Sequence, residues 1–202
     1  MARIDLTDIR RRQIIDAAFK VFAENGYHNS TMADIATELD VGHGTLYRYF
    51  KNKLDIASCV LEDIIDRISL IVTDLPPESV NSLDEYAERL DEIGDRFFEL
   101  LEDNPDMHRF LFYEALAIDD SVTRKINAAF LLFGSYTEMY LRNGIDKGFL
   151  KSDIHTHEAS LAINAMLFEA SRRLSGTGEI DEESKRAWSD TIKRFIIEGF
   201  GK

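Results

Sequence analysis

The chain has 202 residues, of which 45% are hydrophobic, so it can bury a sizeable core as one large domain or two small ones. A single cysteine excludes an intramolecular disulfide framework. No apolar run approaches roughly 18 residues and no charged segment precedes an apolar leader. We therefore expect a cytoplasmic protein without a membrane span or a signal peptide.

Acidic residues are unevenly distributed along the chain. The formal net charge is -13 at pH 7, yet residues 1–55 hold eight Lys and Arg against eight Asp and Glu and are neutral. All of the excess acid lies in residues 56–202. A protein charged in this way should bind nucleic acid only through a local basic face, because most of its surface repels phosphate.

The first predicted helix covers about residues 8–24 and ends where an Asn-Gly pair follows. Its first turn contains Arg10, Arg11 and Arg12. Cations at a helix N-terminus oppose the helix dipole, so the cluster is unfavourable for the helix itself. Phosphate contact is one physical reason to tolerate it, and a solvated polar face is the other.

The stretch from Ser30 to Lys53 predicts two short helices joined by a glycine-containing turn, which is a helix-turn-helix. Ser30 or Thr31 caps the first of these two short helices, and Asp34 is placed to form a capping box with Thr31. An exposed helix N-terminus with hydroxyl groups is also a phosphate site. Both roles are compatible with the same residues.

The second short helix is predicted to turn one face inward and the other toward DNA. Leu46 and Phe50 are four residues apart and must point the same way, into the core. The remaining side chains can hydrogen-bond phosphates or base edges, as a recognition helix does in a major groove. The exposed set is His43, Thr45, Tyr47, Arg48 and Tyr49.

The residues of this segment resemble the DNA-binding signature of the tetracycline-repressor (TetR) family of transcriptional regulators. The resemblance rests on Ile35-Ala36, Val41, the run from Gly44 to Phe50, and Lys53. It implies a set of DNA contacts in the first quarter of the chain. That set is Arg10, Arg11, Ser30, Thr31, His43, Gly44, Thr45, Tyr47, Arg48, Tyr49, Lys51 and Lys53.

The sequence departs from the family pattern in the turn. Leu39 and Asp40 stand where the family usually has a small residue and a glycine, and Gly42 stands where a serine commonly caps the recognition helix. Asp tolerates left-handed backbone better than most residues, so we expect the turn to survive. Glycine in place of a serine cap costs only about a few tenths of a kcal/mol.

Beyond the motif the pattern is helical to the end of the chain. A long helix from residue 54 to about 73 ends before Pro76 and Pro77, and no alternating strand pattern appears. We expect an all-α fold of about nine helices, with a three-helix DNA-binding domain over 1–53 and a ligand-binding and dimerisation bundle over 54–202. The later helices are predicted at about 80–103, 105–117, 121–143, 155–175 and 181–199.

Aromatic and Met residues are dense between Phe97 and Phe149. Most of them are expected to be plain core, as apolar residues at helical spacing usually are. In the TetR family the corresponding bundle encloses a small-molecule pocket, and the resemblance implies one here for a small, mostly apolar ligand. The residues expected to line it are Phe98, Met107, Phe110, Tyr113, Phe133, Tyr136 and Met166.

The last two predicted helices carry more apolar surface than a terminal hairpin can cover. A large apolar face usually marks an interface, and in the TetR family the final two helices pair with those of a second subunit. A hairpin folded back on its own domain is the alternative. The predicted dimer residues are Leu161, Ala165, Phe168, Trp188, Ile192 and Phe195.

These features predict a homodimeric, sequence-specific DNA-binding regulator, in particular a repressor released from a palindromic operator by its ligand. One alternative is a DNA-binding regulator or nucleoid factor without a small-molecule effector, which would have a filled core. The other is an all-helical enzyme with a helix-turn-helix-like segment. No coherent catalytic constellation, metal motif or cofactor motif is visible in the sequence, so we expect no enzyme, metal or cofactor.

Overall fold

The computed structural model describes residues 6–104, 107, 109–175 and 181–202. Within these ranges the chain is built from eight α-helices and has no β-strand, which confirms the expected all-α class. The helices are α1 (Leu6–Asn25), α2 (Met32–Glu38), α3 (His43–Tyr47), α4 (Lys53–Thr73), α5 (Leu83–Asp103), α6 (Asp120–Asp146), α7 (Thr156–Ser175) and α8 (Glu182–Phe200).

The segment predicted as a regular helix over 105–117 has a different structure. A π-helical turn covers Phe110–Glu114 and a 3-10 turn covers Ala115–Ala117. Pro105, expected in the first turn of that helix, lies outside the described residues. The prediction of one α-helix is therefore wrong from Phe110 onward, because apolar periodicity cannot distinguish α from π or 3-10 hydrogen bonding.

Contacts within the chain divide it into two compact units. The described residues of Met1–Ile65 and Asp106–Ile126 form the first unit, and those of Asp66–Pro105 and Asn127–Lys202 form the second. The expected functional division after residue 53 stays a prediction. Two of the boundaries between the units fall at residues 65–66 and 126–127, within the ranges of α4 and α6.

The first unit closes around an aromatic cluster. The ring of Phe110 stacks on that of Phe22 with 6.0 Å between centroids and meets Phe19 edge-on at 6.1 Å. Ile35 of α2 and Leu46 of α3 are fully buried. This shared burial holds the short helices in place, because helices of five to seven residues are not stable by themselves.

The second unit packs α5 against α7 and α8. The α6–α7 connection passes close to α6, where a Cβ atom on Gly144 would lie 2.5 Å from the side chain of Leu150. A larger residue at position 144 would require the buried side chain of Leu150 to move. Ion pairs join the outside of the bundle, including Lys193 Nζ to Asp91 at 2.8 Å. In the described part of the chain, every helix is too short or too polar to cross a membrane.

Candidate functional site

The N-terminus of α2 is fixed by the predicted capping box. The backbone N–H of Asp34 donates to Thr31 Oγ1 at 3.2 Å, and the backbone N–H of Thr31 donates to Asp34 Oδ2 at 2.8 Å. Hydrogen bonds from Thr31 hold the pKa of Asp34 below its ordinary value. The sequence expectation is confirmed, and Thr31 itself is exposed.

The turn between α2 and α3 depends on Asp40, whose φ of 53° is left-handed. The N–H of Asp40 donates to Thr37 O at 3.1 Å, and the N–H of Val41 donates to Ala36 O at 2.9 Å. These two bonds are those of a Schellman motif, which normally has glycine at this position. Asp40 thus takes the conformation expected of it, and Gly42 begins α3 without a side-chain cap.

The recognition helix α3 is anchored by Leu46, which is fully buried, and by Phe50 just beyond it, which is 2% exposed. The helix is shorter than expected, since Arg48 is its C-cap and Tyr49 lies in the following turn. Most of the predicted DNA-contacting residues of this segment are nonetheless exposed to solvent. His43, Gly44, Tyr47, Arg48 and Lys51 are exposed, and Thr45 and Tyr49 are half-buried.

The arginine cluster of α1 divides into different roles. Arg11 is half-buried, donates through Nη1 to Tyr49 O at 2.9 Å and lies 4.5 Å above the ring of Phe50. Arg12 pairs with Asp16 at 3.2 Å and with Asp63. Arg11 therefore supports the end of the recognition segment, a role that its position in sequence did not predict.

Two further predicted DNA contacts are held by the protein itself. Lys53 Nζ donates to the carbonyls of Tyr27 and Ser30 at 2.6 Å each and lies 4.1 Å above the Tyr27 ring. Burial lowers its pKa. Ser30 is 2% exposed and donates through Oγ to Gly26 O at 2.6 Å. Ser30 is thus a structural residue, which corrects its assignment as a DNA contact.

The loop between α1 and α2 also forms hydrogen bonds with residues distant in sequence. Glu114 accepts a hydrogen bond from the backbone N–H of Tyr27 at 2.9 Å, and the ring of His28 makes a 2.8 Å hydrogen bond with Ala117 O. Sequence reasoning missed both ties, because the partners are 87 and 89 residues apart and no local pattern marks them.

The second unit contains a predominantly apolar cavity of about 90 Å³. It is formed by the end of α4 together with α5, α6 and α7. Its polar groups include Thr137 and Asn164, where Asn164 Nδ2 donates to Thr137 Oγ1 at 3.2 Å. The lining residues are Ile68, Ile71, Val72, Tyr86, Leu90, Ile93, Phe97, Phe133, Tyr136, Thr137, Tyr140, Ile163, Asn164, Leu167 and Phe168.

Tyr86 stands out in this lining. It is 1% exposed and stacks on Tyr140 with 6.1 Å between ring centroids. Burial raises the pKa of its phenol further above physiological pH, where an ordinary tyrosine is already neutral. A neutral phenol can donate as well as accept a hydrogen bond, so Tyr86 adds a polar side chain to the residues that line the cavity.

The predicted pocket residues are placed in three different regions. Phe133 and Tyr136 line the cavity, and Phe98 lines a smaller cavity next to it. Met107 and Phe110 are buried in the first unit, which corrects their assignment to the pocket. Tyr113, also in the first unit, is 52% exposed, and Met166 is half-buried outside the lining. Aromatic density did not reveal which rings face a common space.

The predicted dimer residues also separate into two groups. Phe195 is 64% exposed, Leu161 is 38% exposed, and Ala165 is exposed as well, while Trp188 is half-buried. Phe168 instead meets the Phe130 ring edge-on at 4.5 Å and lines the cavity. Ile192 is 6% exposed and lines the smaller cavity. The assignment of Phe168 and Ile192 to the dimer interface is therefore corrected, because both side chains pack inside the second unit.

The fold and the outer surface of α3 define a helix-turn-helix DNA-binding protein. Residues 14–58 match the family model of the bacterial regulatory proteins of the tetR family. The chain is 30% identical over 146 residues to the fatty acid metabolism regulator protein of Bacillus subtilis, covering 70% of this chain and 71% of that protein. The chain therefore belongs to the tetR family and is a DNA-binding transcriptional regulator.

Other relatives agree with this assignment. The chain is 38% identical over 85 residues to the HTH-type transcriptional regulator HbdR of Aromatoleum, and the matched region spans 42% of this chain but only 35% of HbdR. Among solved structures, the transcriptional regulator FadR from Bacillus subtilis in complex with stearoyl-CoA has a TM-score of 0.77 and 26% identity. The match covers 93% of this chain and 98% of that one.

Proposed function

We propose that the protein is a repressor that binds a palindromic operator as a homodimer and is released from it by a small, mostly apolar ligand. The observation that carries the proposal is the apolar cavity of the second unit, in a chain whose first unit presents a recognition helix. A DNA-binding factor without an effector would have a filled core at this place. The cavity of about 90 Å³ favours the ligand-responsive alternative.

Operator contact is assigned to the exposed face of α3. Arg48 and Tyr47 are exposed at the end of that helix, and Lys51 is exposed just after it. Arg can donate two hydrogen bonds to a guanine edge, whereas lysine contacts phosphate as a point charge. Together they supply the local basic face that an otherwise acidic protein needs.

A dimer is proposed through α7 and α8. One recognition helix contacts too few base pairs for genomic specificity, and a two-fold dimer doubles the contacts while requiring a near-palindromic site. The exposed apolar side chains of Leu161 and Phe195 are candidates for the centre of that interface.

The ligand class is inferred from the cavity together with the relatives. The lining is aliphatic and aromatic with a few polar groups, which suits a hydrocarbon chain carrying a polar end. A structural relative was crystallised with stearoyl-CoA. We infer that fatty acyl-CoA thioesters are the first ligands to test.

The proposed coupling uses helices that reach the cavity. Ile68, Ile71 and Val72 of α4 line it, and α4 begins at Lys53 directly after the recognition segment. The two recognition helices of a dimer must lie about 34 Å apart to enter successive major grooves. A ligand that prefers a different α4 arrangement lowers operator affinity by linkage.

The test is selection of operator DNA from a random duplex pool by the purified protein. The proposal predicts an enriched palindrome whose half-sites are separated by about one helical turn. Stearoyl-CoA should release the selected duplex, while coenzyme A without the acyl chain should not. Enrichment of no sequence above background would contradict the operator assignment. A selected duplex that no acyl-CoA releases would contradict the ligand class.

A further inference from the structure

The second unit contains two cavities that share a wall. The smaller one has a volume of about 50 Å³ and is formed by α5, α7 and α8. Four residues line both spaces, so the cavities are neighbours. The shared residues are Leu90, Ile93, Ile163 and Leu167.

Volume shows why the first cavity is insufficient for a long ligand. An engineered apolar cavity of about 150 Å³ holds one benzene molecule. The first cavity has about 90 Å³, which is smaller than that and far smaller than a long hydrocarbon chain. A long hydrocarbon chain must therefore displace side chains. The side chains of the shared wall lie between the first cavity and the smaller one, which is already empty space.

The chemistry of the smaller cavity suits the end of such a chain. Phe98 of α5 and Ile192 and Ile196 of α8 supply apolar surface. Its charged residues are neutralised as a pair, since Lys193 Nζ contacts the two Asp91 carboxylate oxygens at 2.8 and 3.0 Å. No charge is left over to attract an ionic group, so the space favours a methyl terminus rather than a polar end.

Gly94 keeps this space open. It is buried in the middle of α5, and a Cβ atom built on it would lie 3.8 Å from Ser189 Oγ, an ordinary van der Waals distance. Alanine would therefore fit without a clash and would be the better helix former. The absence of a side chain here is not required by the backbone, and it leaves room on the α8 side of the cavity.

We propose that the smaller cavity is the distal half of one ligand site and receives the methyl end of a long acyl chain. Gly94 then determines the longest chain that fits, and the four shared aliphatic side chains form the movable partition between the two halves. The inference rests on the proposed acyl ligand and adds a chain-length selection to it. Joining the cavities requires these aliphatic side chains to move.

The experiment measures the affinity of acyl-CoAs with 8 to 18 acyl carbons by calorimetry, below their micelle concentrations. In the wild type the affinity should rise by about four-fold for each methylene that becomes buried. Gly94→Val adds three carbons and should lower the affinity for the longest chains by about 60-fold, the equivalent of three methylenes, and change that for the shortest by less than about two-fold.

Two further variants keep the test decisive. Gly94→Ala adds one methyl group and should lower long-chain affinity by about four-fold even if the valine variant does not fold. Ala128→Val, at an exposed position of α6 outside both cavity linings, is the control and should bind every length as the wild type does.

Equal effects on short and long chains, or none, would overturn the inference and leave the acyl ligand intact. A wild type that binds no acyl-CoA of any length would instead overturn the proposed ligand class.

Discussion

The two units of this protein carry their functions in different ways. In the first unit, short-range features such as the Thr31 cap and the left-handed Asp40 fix a small helix, and function lies in side chains that project from it. In the second unit, function is assigned to apolar space between long helices, and no motif marks it. A nucleic-acid surface can thus be recognised in local sequence, whereas a ligand cavity results from the packing of distant segments.

The largest expected effect concerns the proposed dimer surface of the second unit. Phe195→Glu places a charge on a 64% exposed side chain, so the subunit should fold but remain monomeric. Operator affinity should fall by at least about 100-fold, because a monomer keeps half of the contacts. Sedimentation velocity measures the oligomeric state, and fluorescence anisotropy measures the operator affinity.

The control for this surface is Leu70→Glu, which charges an equally exposed apolar residue on α4. It should leave both the mass of the dimer and the affinity for operator DNA unchanged. A dimeric Phe195→Glu with normal operator binding would show that the seam lies elsewhere.

In the first unit, Arg48→Ala tests the recognition helix. Loss of a bidentate base contact should weaken operator binding by about 1–3 kcal/mol and relax the preference at one position of the site. The measurement is a binding titration against single-base variants of the operator. Arg142→Ala, an exposed arginine of the second unit, serves as the control. Unchanged affinity and selectivity in Arg48→Ala would remove Arg48 from the interface.

A variant of Lys53 distinguishes a structural role of this residue from a phosphate contact. The sequence resemblance assigns it to phosphate, but its ammonium group donates to two backbone carbonyls. Lys53→Met should therefore lower the free energy of unfolding by about 2 kcal/mol, because hydrogen bonds from a charged donor are lost. Chemical denaturation measures this change.

Lys51→Met, at an exposed position nearby, should leave that stability unchanged. The alternative role of Lys53 has its own signature. Unaltered stability together with a loss of about one counterion from the salt dependence of DNA binding would restore the phosphate assignment.

The smallest expected effect tests the turn at Asp40. A β-branched residue is disfavoured at a φ of 53°, so Asp40→Val should destabilise the first unit by about 1–2 kcal/mol. Asp40→Gly is the matched variant and should be at least as stable as the wild type, since glycine adopts this conformation freely. Thermal unfolding compares them, and equal losses in both variants would show that the Asp40 side chain matters rather than its backbone conformation.

Local patterns allowed the helix-turn-helix to be predicted closely. The capping box of Thr31 and Asp34 and the burial of Leu46 and Phe50 follow from residue type and spacing over a few positions. The end of α3 was predicted too late, because residues after Tyr47 continue the apolar spacing in a tighter turn.

Distant partners could not be predicted from the sequence. Phe110 was assigned to the ligand pocket, yet it stacks on Phe22, 88 positions away, in the core of the first unit. Tyr86 and Asn164 line the cavity but have no distinctive neighbours in sequence. Periodicity indicates which face of a helix is buried, but not which other helix covers it.

The central claim is that ligand binding in the second unit and operator binding by the first unit weaken each other. The direct measurement is the affinity for stearoyl-CoA, determined with and without saturating selected operator DNA. The account predicts that operator weakens ligand binding by the same factor by which ligand weakens operator binding, about 5- to 150-fold for a coupling of 1–3 kcal/mol. Equal ligand affinities in the two titrations would contradict it, and tighter binding with operator present would make the ligand a corepressor.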